Sequence, residues 1–254
     1  MEGKVVLITG GAGGIGMATA QLFLDNGAKV ALVDINEAAL EQAKAALKGT
    51  SDDVTVIQAD VTKEADVENY VKQTVDTFRK IDVFFNNAGI NGPAREMTDL
   101  EKETFDTIMS INTTGVFLGM KHVIRQMKTQ GYGSIINTAS NAAYIGSPGM
   151  AGYIASKHAV AGLTKTAALE AAGSNIRVNA VAPAAIDTQM LVDIQNNLSP
   201  GQPDVSGEAI KQGIPFRRFG APQEVAEIVL FLASDKASFV TGSLYNVDGG
   251  MQAD

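Results

Sequence analysis

Short runs of Val, Ile and Leu alternate along this chain with longer stretches whose apolar residues recur at helical spacing. Seven runs, 4–9, 29–33, 54–58, 83–86, 134–138, 177–182 and 244–247, are mostly apolar throughout instead of alternating with polar residues. That is the pattern of strands covered on both faces of a parallel sheet. Between them, segments 15–26, 37–48, 64–78, 153–172 and 222–234 read as helices. Pro222 suits the first turn of the last one, and Glu224 lies near its positive end. Repeated strand–helix alternation predicts right-handed βαβ units and an α/β fold with a doubly wound, seven-stranded parallel sheet and helices on both faces. No Ser- or Pro-rich linker divides the chain, so residues 1–254 read as one domain.

One stretch departs from the pattern. Residues 190–219 carry Pro200, Pro203, Pro215, Gly201, Gly207 and Gly213 with weak periodicity. A loop of this length inside a compact α/β domain predicts an active-site lid.

Composition narrows the classes. At 45% hydrophobic residues the 254-residue chain has ample material for a core, which excludes intrinsic disorder. A net charge of −8 argues against nucleic acid or an anionic membrane surface as the main partner. The absence of Cys excludes disulfides, iron–sulfur clusters and thiolate zinc sites. Two His are too few for a catalytic zinc, so no metal is predicted, although a carboxylate-bound Mg²⁺ or Ca²⁺ stays open. The apolar run Val5-Val6-Leu7-Ile8 is too short for a signal peptide or a membrane span, and the expected location is cytoplasmic.

The first strand runs into Thr9-Gly10-Gly11-Ala12-Gly13-Gly14-Ile15-Gly16, which opens the first helix. Glycines here let the backbone turn sharply and approach a pyrophosphate, and the helix N-terminus offers N–H groups and a positive dipole end. Gly11, Gly13 and Gly16 satisfy G-x-G-x-x-G, a weak signal that the strand–loop–helix context strengthens. No Lys-Ser or Lys-Thr follows, which excludes a Walker A loop. Asp34 ends the second strand, 18 residues after Gly16. It is placed either to cap the helix beginning near Glu37 or to accept hydrogen bonds from an adenosine ribose, and the glycines before it favour the ribose. A carboxylate there would repel a 2′-phosphate, Ile35 and Asn36 are uncharged, and residues 10–16 contain no Arg or Lys, so NAD(H) is the expected cofactor.

A second cluster is Ser140, Tyr153 and Lys157. Tyr and Lys four apart share one helix face. A free Tyr has a pKa of about 10, and a nearby ammonium would lower it toward the range useful for general acid–base catalysis. Ser140 follows the fifth strand, at the sheet edge where ligands bind, and its hydroxyl could hold a carbonyl or alcohol oxygen. No G-x-S-x-G elbow surrounds Ser140, which excludes the corresponding serine-hydrolase arrangement. His158 points about 100° away from Lys157 and reads as packing or solvent-facing. His122 lies in a helical stretch with Lys121 and Arg125 and has no obvious partner in the sequence.

The glycine turn, Asn86-Asn87-Ala88-Gly89, Asn112, Ser140, Tyr153-x-x-x-Lys157 and Pro183 occur in this order along the chain. In this set the chain resembles the classical short-chain dehydrogenase/reductase family over essentially its whole length. The resemblance implies a single Rossmann-fold domain and a hydride transfer between nicotinamide and a secondary alcohol or ketone. It implies that Tyr153 is the general acid–base, that Lys157 lowers its pKa and binds the nicotinamide ribose, that Ser140 orients the substrate oxygen and that Asn112 anchors a water-linked proton relay. It further implies cofactor contacts from Gly10, Gly13, Gly14, Ile15, Gly16, Asp34 and Ile35. Asp60 and Val61 look like the adenine-contacting pair, Asn87, Ala88 and Gly89 like the cofactor-supporting turn, and Pro183, Ile186 and Thr188 like the nicotinamide-side loop. After Pro183 the family often has Gly where this chain has Ala184, which changes the pocket's shape and not its chemistry. Asp248-Gly249-Gly250 matches a familiar family ending near a subunit interface, and a homotetramer built on the long helices is expected. Ala142, Ala143, Ala184 and Ala185 leave room for a medium-sized or cyclic carbonyl compound, and the segments 141–144 and 147–150 are placed to line the substrate side. The alternatives are a 3-oxoacyl-carrier-protein reductase, a type that usually favours NADP and carries basic residues where this chain has Asp34, and a non-catalytic NAD-binding sensor, against which the intact Ser140–Tyr153–Lys157 set speaks.

Overall fold

The computed structural model describes residues 1–50 and 52–253. Seven parallel strands, β1 (Val5–Thr9), β2 (Lys29–Asp34), β3 (Val54–Gln58), β4 (Val83–Asn86), β5 (Gly133–Thr138), β6 (Ile176–Pro183) and β7 (Leu244–Val247), form one sheet in the order 3-2-1-4-5-6-7. Helices α1 (Gly14–Asp25), α2 (Glu37–Ala46), α3 (Glu64–Phe78), α4 (Lys102–Met109), α5 (Gly115–Gln130), α6 (Ala151–Ala171), α7 (Gln189–Leu198), α8 (Pro203–Gln212) and α9 (Pro222–Ala233) connect them. This is the single-domain Rossmann fold expected. Among the described residues no helix is long and apolar enough to cross a membrane.

The alternating direction of side chains along each strand splits the core in two. Val6, Ile8, Val30, Leu32 and Phe85 pack against α1, α2 and α9 through Phe23, Leu40 and Val229. Leu7, Ala31, Val33, Phe84 and Ile135 face the other way, onto α3, α5 and α6 through Tyr70, Met120 and Val160. Both faces are sealed, which is why the strands read as unbroken apolar runs. Strand order reverses between β1 and β4, and the carboxyl ends of the flanking strands splay around a crevice there.

Two expectations change. Residues 190–219 are not an aperiodic loop, because most of them form α7 and α8. Pro203 occupies the first turn of α8, where its missing N–H costs nothing, while Gly201 (φ 75°) and Gly213 lie at the helix boundaries. The Pro and Gly residues punctuate helices here. His122 does have a partner: on α5 it is buried with Nε2 2.9 Å from Glu64 Oε1 on α3, and Lys121 pairs with the same carboxylate. That contact spans 58 positions and has no local sequence signal.

Candidate active site

The glycine turn is shaped by close backbone approach. Gly10 adopts φ 62°, a left-handed conformation open to glycine at little cost, and a Cβ on Gly16 would lie 2.3 Å from the Gly10 carbonyl oxygen. The first turn of α1 has no side-chain cap and no acidic residue, leaving its N–H groups and dipole available to an anion. Thr9 anchors the next segment: its hydroxyl accepts the N–H groups of Asn87 (2.9 Å) and Ala88 (3.1 Å). The Asn87 amide donates to the Thr9 and Gly10 carbonyls at 3.2 and 3.3 Å, and its Oδ1 accepts from Thr138 Oγ1 at 3.0 Å. The ends of β1, β4 and β5 are thereby tied together around the turn.

Asp34 stands at the end of β2 and takes the Ala12 N–H at 3.3 Å and the Asn36 N–H at 3.2 Å. It does not cap α2, since Asn36 does so by accepting from the Ala39 N–H. A carboxylate has about four acceptor positions, so acceptor capacity remains for a diol, and Asp34 lines the cleft. A dinucleotide fits these residues: uncapped N–H groups for the pyrophosphate and a carboxylate acceptor one strand away for the adenosine ribose.

At the far end of the cleft, Ser140, Tyr153 and Lys157 converge from β5 and α6. Ser140 Oγ lies 3.0 Å from Asn141 Oδ1 and 3.3 Å from the Pro183 carbonyl, and it accepts the Ala142 N–H at 3.2 Å. Lys157 is buried, donates to the Thr138 carbonyl at 2.8 Å, and sits 5.5 Å from the centroid of the Tyr153 ring. Burial pushes the Lys157 ammonium down to about 8. Burial also raises the Tyr153 phenol above its ordinary value, and the hydrogen bond with Ser140 partly offsets this. Removal from water disfavours the charged form of each group, and the hydrogen bond with Ser140 acts to lower the phenol.

Asn112 lies in a π-helical turn (Ser110–Thr114) between α4 and α5, fully buried. Its side chain is spent: Oδ1 accepts the Ile90 N–H at 2.8 Å, and Nδ2 donates to the Ile90 carbonyl at 2.8 Å and to Ser156 Oγ at 3.1 Å. It thus braces the loop after β4 against α6, directly behind Gly89 and Lys157.

The cleft has a volume of about 510 Å³. Of the expected residues, Gly10, Gly13, Gly14, Ile15, Asp34, Asn87, Ala88, Gly89, Ser140, Ala142, Tyr153, Lys157, Pro183, Ala184, Ile186 and Thr188 line it. Gly16, Ile35, Asp60, Val61 and Asn112 are not part of the lining. Gly16 packs behind the turn, and Ile35 is exposed beyond Asp34. Asp60 accepts from the Thr62 N–H and hydroxyl at 3.0 and 2.7 Å, and Val61 approaches Gly115 at the start of α5. Within 141–144 and 147–150, Asn141, Ala142, Ser147 and Met150 line the cleft, whereas Ala143 enters the core and Tyr144 is exposed. Sequence reasoning missed Met190, Leu191, Ile194 and Leu198 on α7, Ile210 on α8, and Met251. The 191/194/198 spacing is an amphipathic helical face and could have been found, but Met251 has no local signal.

Comparison with known proteins agrees with this geometry. A family profile described as Enoyl-(Acyl carrier protein) reductase matches residues 10–252. Levodione reductase of Leifsonia aquatica is 44% identical over 252 residues, 98% of this chain and 94% of that protein. The 3-oxoacyl-acyl-carrier-protein reductase of Thermotoga maritima is 41% identical over 251 residues, 99% of this chain and 98% of the relative. Crystal structures of levodione reductase (TM-score 0.97, 43% identity, 100% of this chain and 99% of the other) and of an NAD⁺-bound xylitol dehydrogenase (0.90, 38%, 98% and 99%) superpose along the chain. The chain belongs to the classical short-chain dehydrogenase/reductase family and is an oxidoreductase of that family with a small-molecule substrate.

Proposed function

We propose that this protein is an NAD(H)-dependent oxidoreductase that interconverts a secondary alcohol and a ketone of medium or cyclic size, with Tyr153 as general acid–base. The observation that carries the reading is the convergence of Ser140, Tyr153 and Lys157 at the end of a cleft that begins at the uncapped glycine turn. The cofactor, when bound, gives or takes the hydride. The protein's share is position and proton handling. Ser140 holds the substrate oxygen and hydrogen-bonds the phenol, and Tyr153 gives its proton to that oxygen in reduction or takes one in oxidation. Lys157, fixed by the Thr138 carbonyl, would hold the ribose of a bound nicotinamide cofactor, and the Asn112 brace would keep the backbone behind it in place for a water-linked proton relay. Asp34 selects the unphosphorylated ribose, which supports NAD over NADP and separates this reading from a carrier-protein reductase of the NADP type.

Helices α7 and α8 act as the lid, turning Leu191 and Ile194 into the cleft. Exposed Phe117 on α5 and Leu169 on α6 support a homotetramer built on those helices.

The test is Tyr153→Phe. General acid–base groups contribute about 10²–10⁴-fold, so kcat should fall by that factor while NADH binding stays near wild type. A Phe variant that keeps more than half the wild-type kcat, with chemistry rate-limiting, removes Tyr153 from the proton step. Absence of activity in both proteins across a broad panel of alcohols and ketones returns the chain to a sensor.

A further inference from the structure

Beyond Ser140 and Tyr153, the cleft changes character. Three of the chain's nine methionines, Met150 at the start of α6, Met190 on α7 and Met251 near the C-terminus, line it together with Ile194 and Ile210. The lining carries two charged side chains, Asp34 and Lys157. Asp34 is at the opposite end, and Lys157 is committed to the Thr138 carbonyl. Asn141 Oδ1 receives Ser140, its Nδ2 is 4.0 Å from Met251 Sδ, and the Gln189 amide donates to Asp193 at 3.0 Å, away from the cleft.

We infer that this methionine wall makes the site one for neutral, apolar ketones of ring size and their secondary alcohols, and that it rejects polyols and anionic ketones. The inference rests on the oxidoreductase reading above and names its substrate class. Thioethers are flexible and polarizable, so the three can close around rings bearing different alkyl groups. A polyol hydroxyl placed against them leaves water without gaining a hydrogen bond, and a carboxylate loses its hydration with no cation to meet it. Discrimination is graded: an added hydroxyl is rejected by a hydrophobic pocket only about 10²-fold, whereas an unpaired charge costs far more to bury. The relatives are named for a dione, for a polyol and for a carrier-bound thioester, and the wall favours the first class of chemistry.

The experiment compares matched pairs with NAD(H): 4-methylcyclohexanone against 4-oxocyclohexanecarboxylate, and cyclohexanol against xylitol. The expected result is a kcat/KM for the neutral apolar member higher by about 100-fold or more in each pair. Met190→Lys places an ammonium on the wall, and it should shrink the first ratio at least tenfold while NADH affinity, the control for folding, stays unchanged. Carboxylate or xylitol turned over within threefold of its apolar partner, or a Met190→Lys variant that binds NADH normally with an unaltered ratio, overturns the inference. Calorimetric binding of the same compounds to the NADH-loaded protein separates the two readings. Preferential binding of the neutral ketone without turnover upholds the substrate class and defeats the hydride-transfer reading. Turnover without preference does the reverse, and neither binding preference nor turnover defeats both.

Discussion

Asp34 and Lys157 show how single side chains set the behaviour of the cleft. Charge-assisted hydrogen bonds contribute roughly 1.5–3 kcal/mol each, and Asp34 would exchange them for repulsion if the ribose carried a 2′-phosphate. At 1.4 kcal/mol per tenfold, NAD should be preferred over NADP by about one to two orders of magnitude in kcat/KM. Asp34→Ser should narrow that ratio, and adding Ile35→Arg should narrow it further by supplying a phosphate partner. Wild-type enzyme that prefers NADPH in steady-state assays defeats this account of Asp34. Lys157 makes a prediction about pH. Burial holds it at about 8, below an ordinary value of about 10.4. Between those values the unfolded chain keeps a proton that the native chain has lost, so this group's contribution to stability rises with pH across that window. The raised Tyr153 pKa opposes this only above about 10, where an unfolded Tyr begins to ionise. Urea midpoints should therefore climb for wild type relative to Lys157→Met from pH 8 to pH 10, and parallel profiles would contradict the buried ammonium.

At the scale of elements, the helices proposed as a lid are followed by a short structured segment. Ile186 and Gly220 form an isolated parallel bridge, and Arg218 clasps both oxygens of Glu224 at 2.7 Å while Glu224 also accepts the Ala221 N–H at the start of α9. That clasp, first through the Arg218 hydrogen bonds, holds the Glu224 carboxyl down at about 2. The clasp therefore stays ionised at neutral pH, and as the proposed lid α7 and α8 would close as units on the near side of it. Amide exchange in α7 and α8 should be fast in the free protein and slow on addition of NAD and a ketone analogue, with α1 little changed. Equal exchange in both states at demonstrated saturation would make the two helices ordinary scaffold. The strands and α1, α3 and α9 were legible in the sequence because their apolar periods report burial directly. Helices α7 and α8 were not, because Pro203 and Gly213 look like breakers until their places at helix boundaries are known.

For the whole molecule, the sheet brings residues from five strand ends into one crevice. Leu169, near the end of α6, is 83% exposed, and Phe117 on α5 is exposed as well. If α5 and α6 form the tetramer contact, light scattering should give about four times the 26.6 kDa chain mass, and Leu169→Lys should lower it without loss of helical signal. A wild-type monomer at micromolar concentration would refute the assembly.

The glycine turn, Asp34 after the second strand and the Tyr153/Lys157 spacing were readable from the chain alone, because each depends on neighbours within a turn or a strand. Backbone freedom at Gly10 and the shared face of residues four apart are local properties, fixed before any long-range contact forms. The direction of the Tyr153 shift, the partner of His122 and the substrate wall were decided only by tertiary structure. Burial of Tyr153 and Lys157 comes from packing of the whole crevice, Glu64 reaches His122 across 58 positions, and Met251 meets Asn141 across 110. Desolvation and long-range contact depend on which distant atoms exclude water from a site, and that is a property of the folded arrangement.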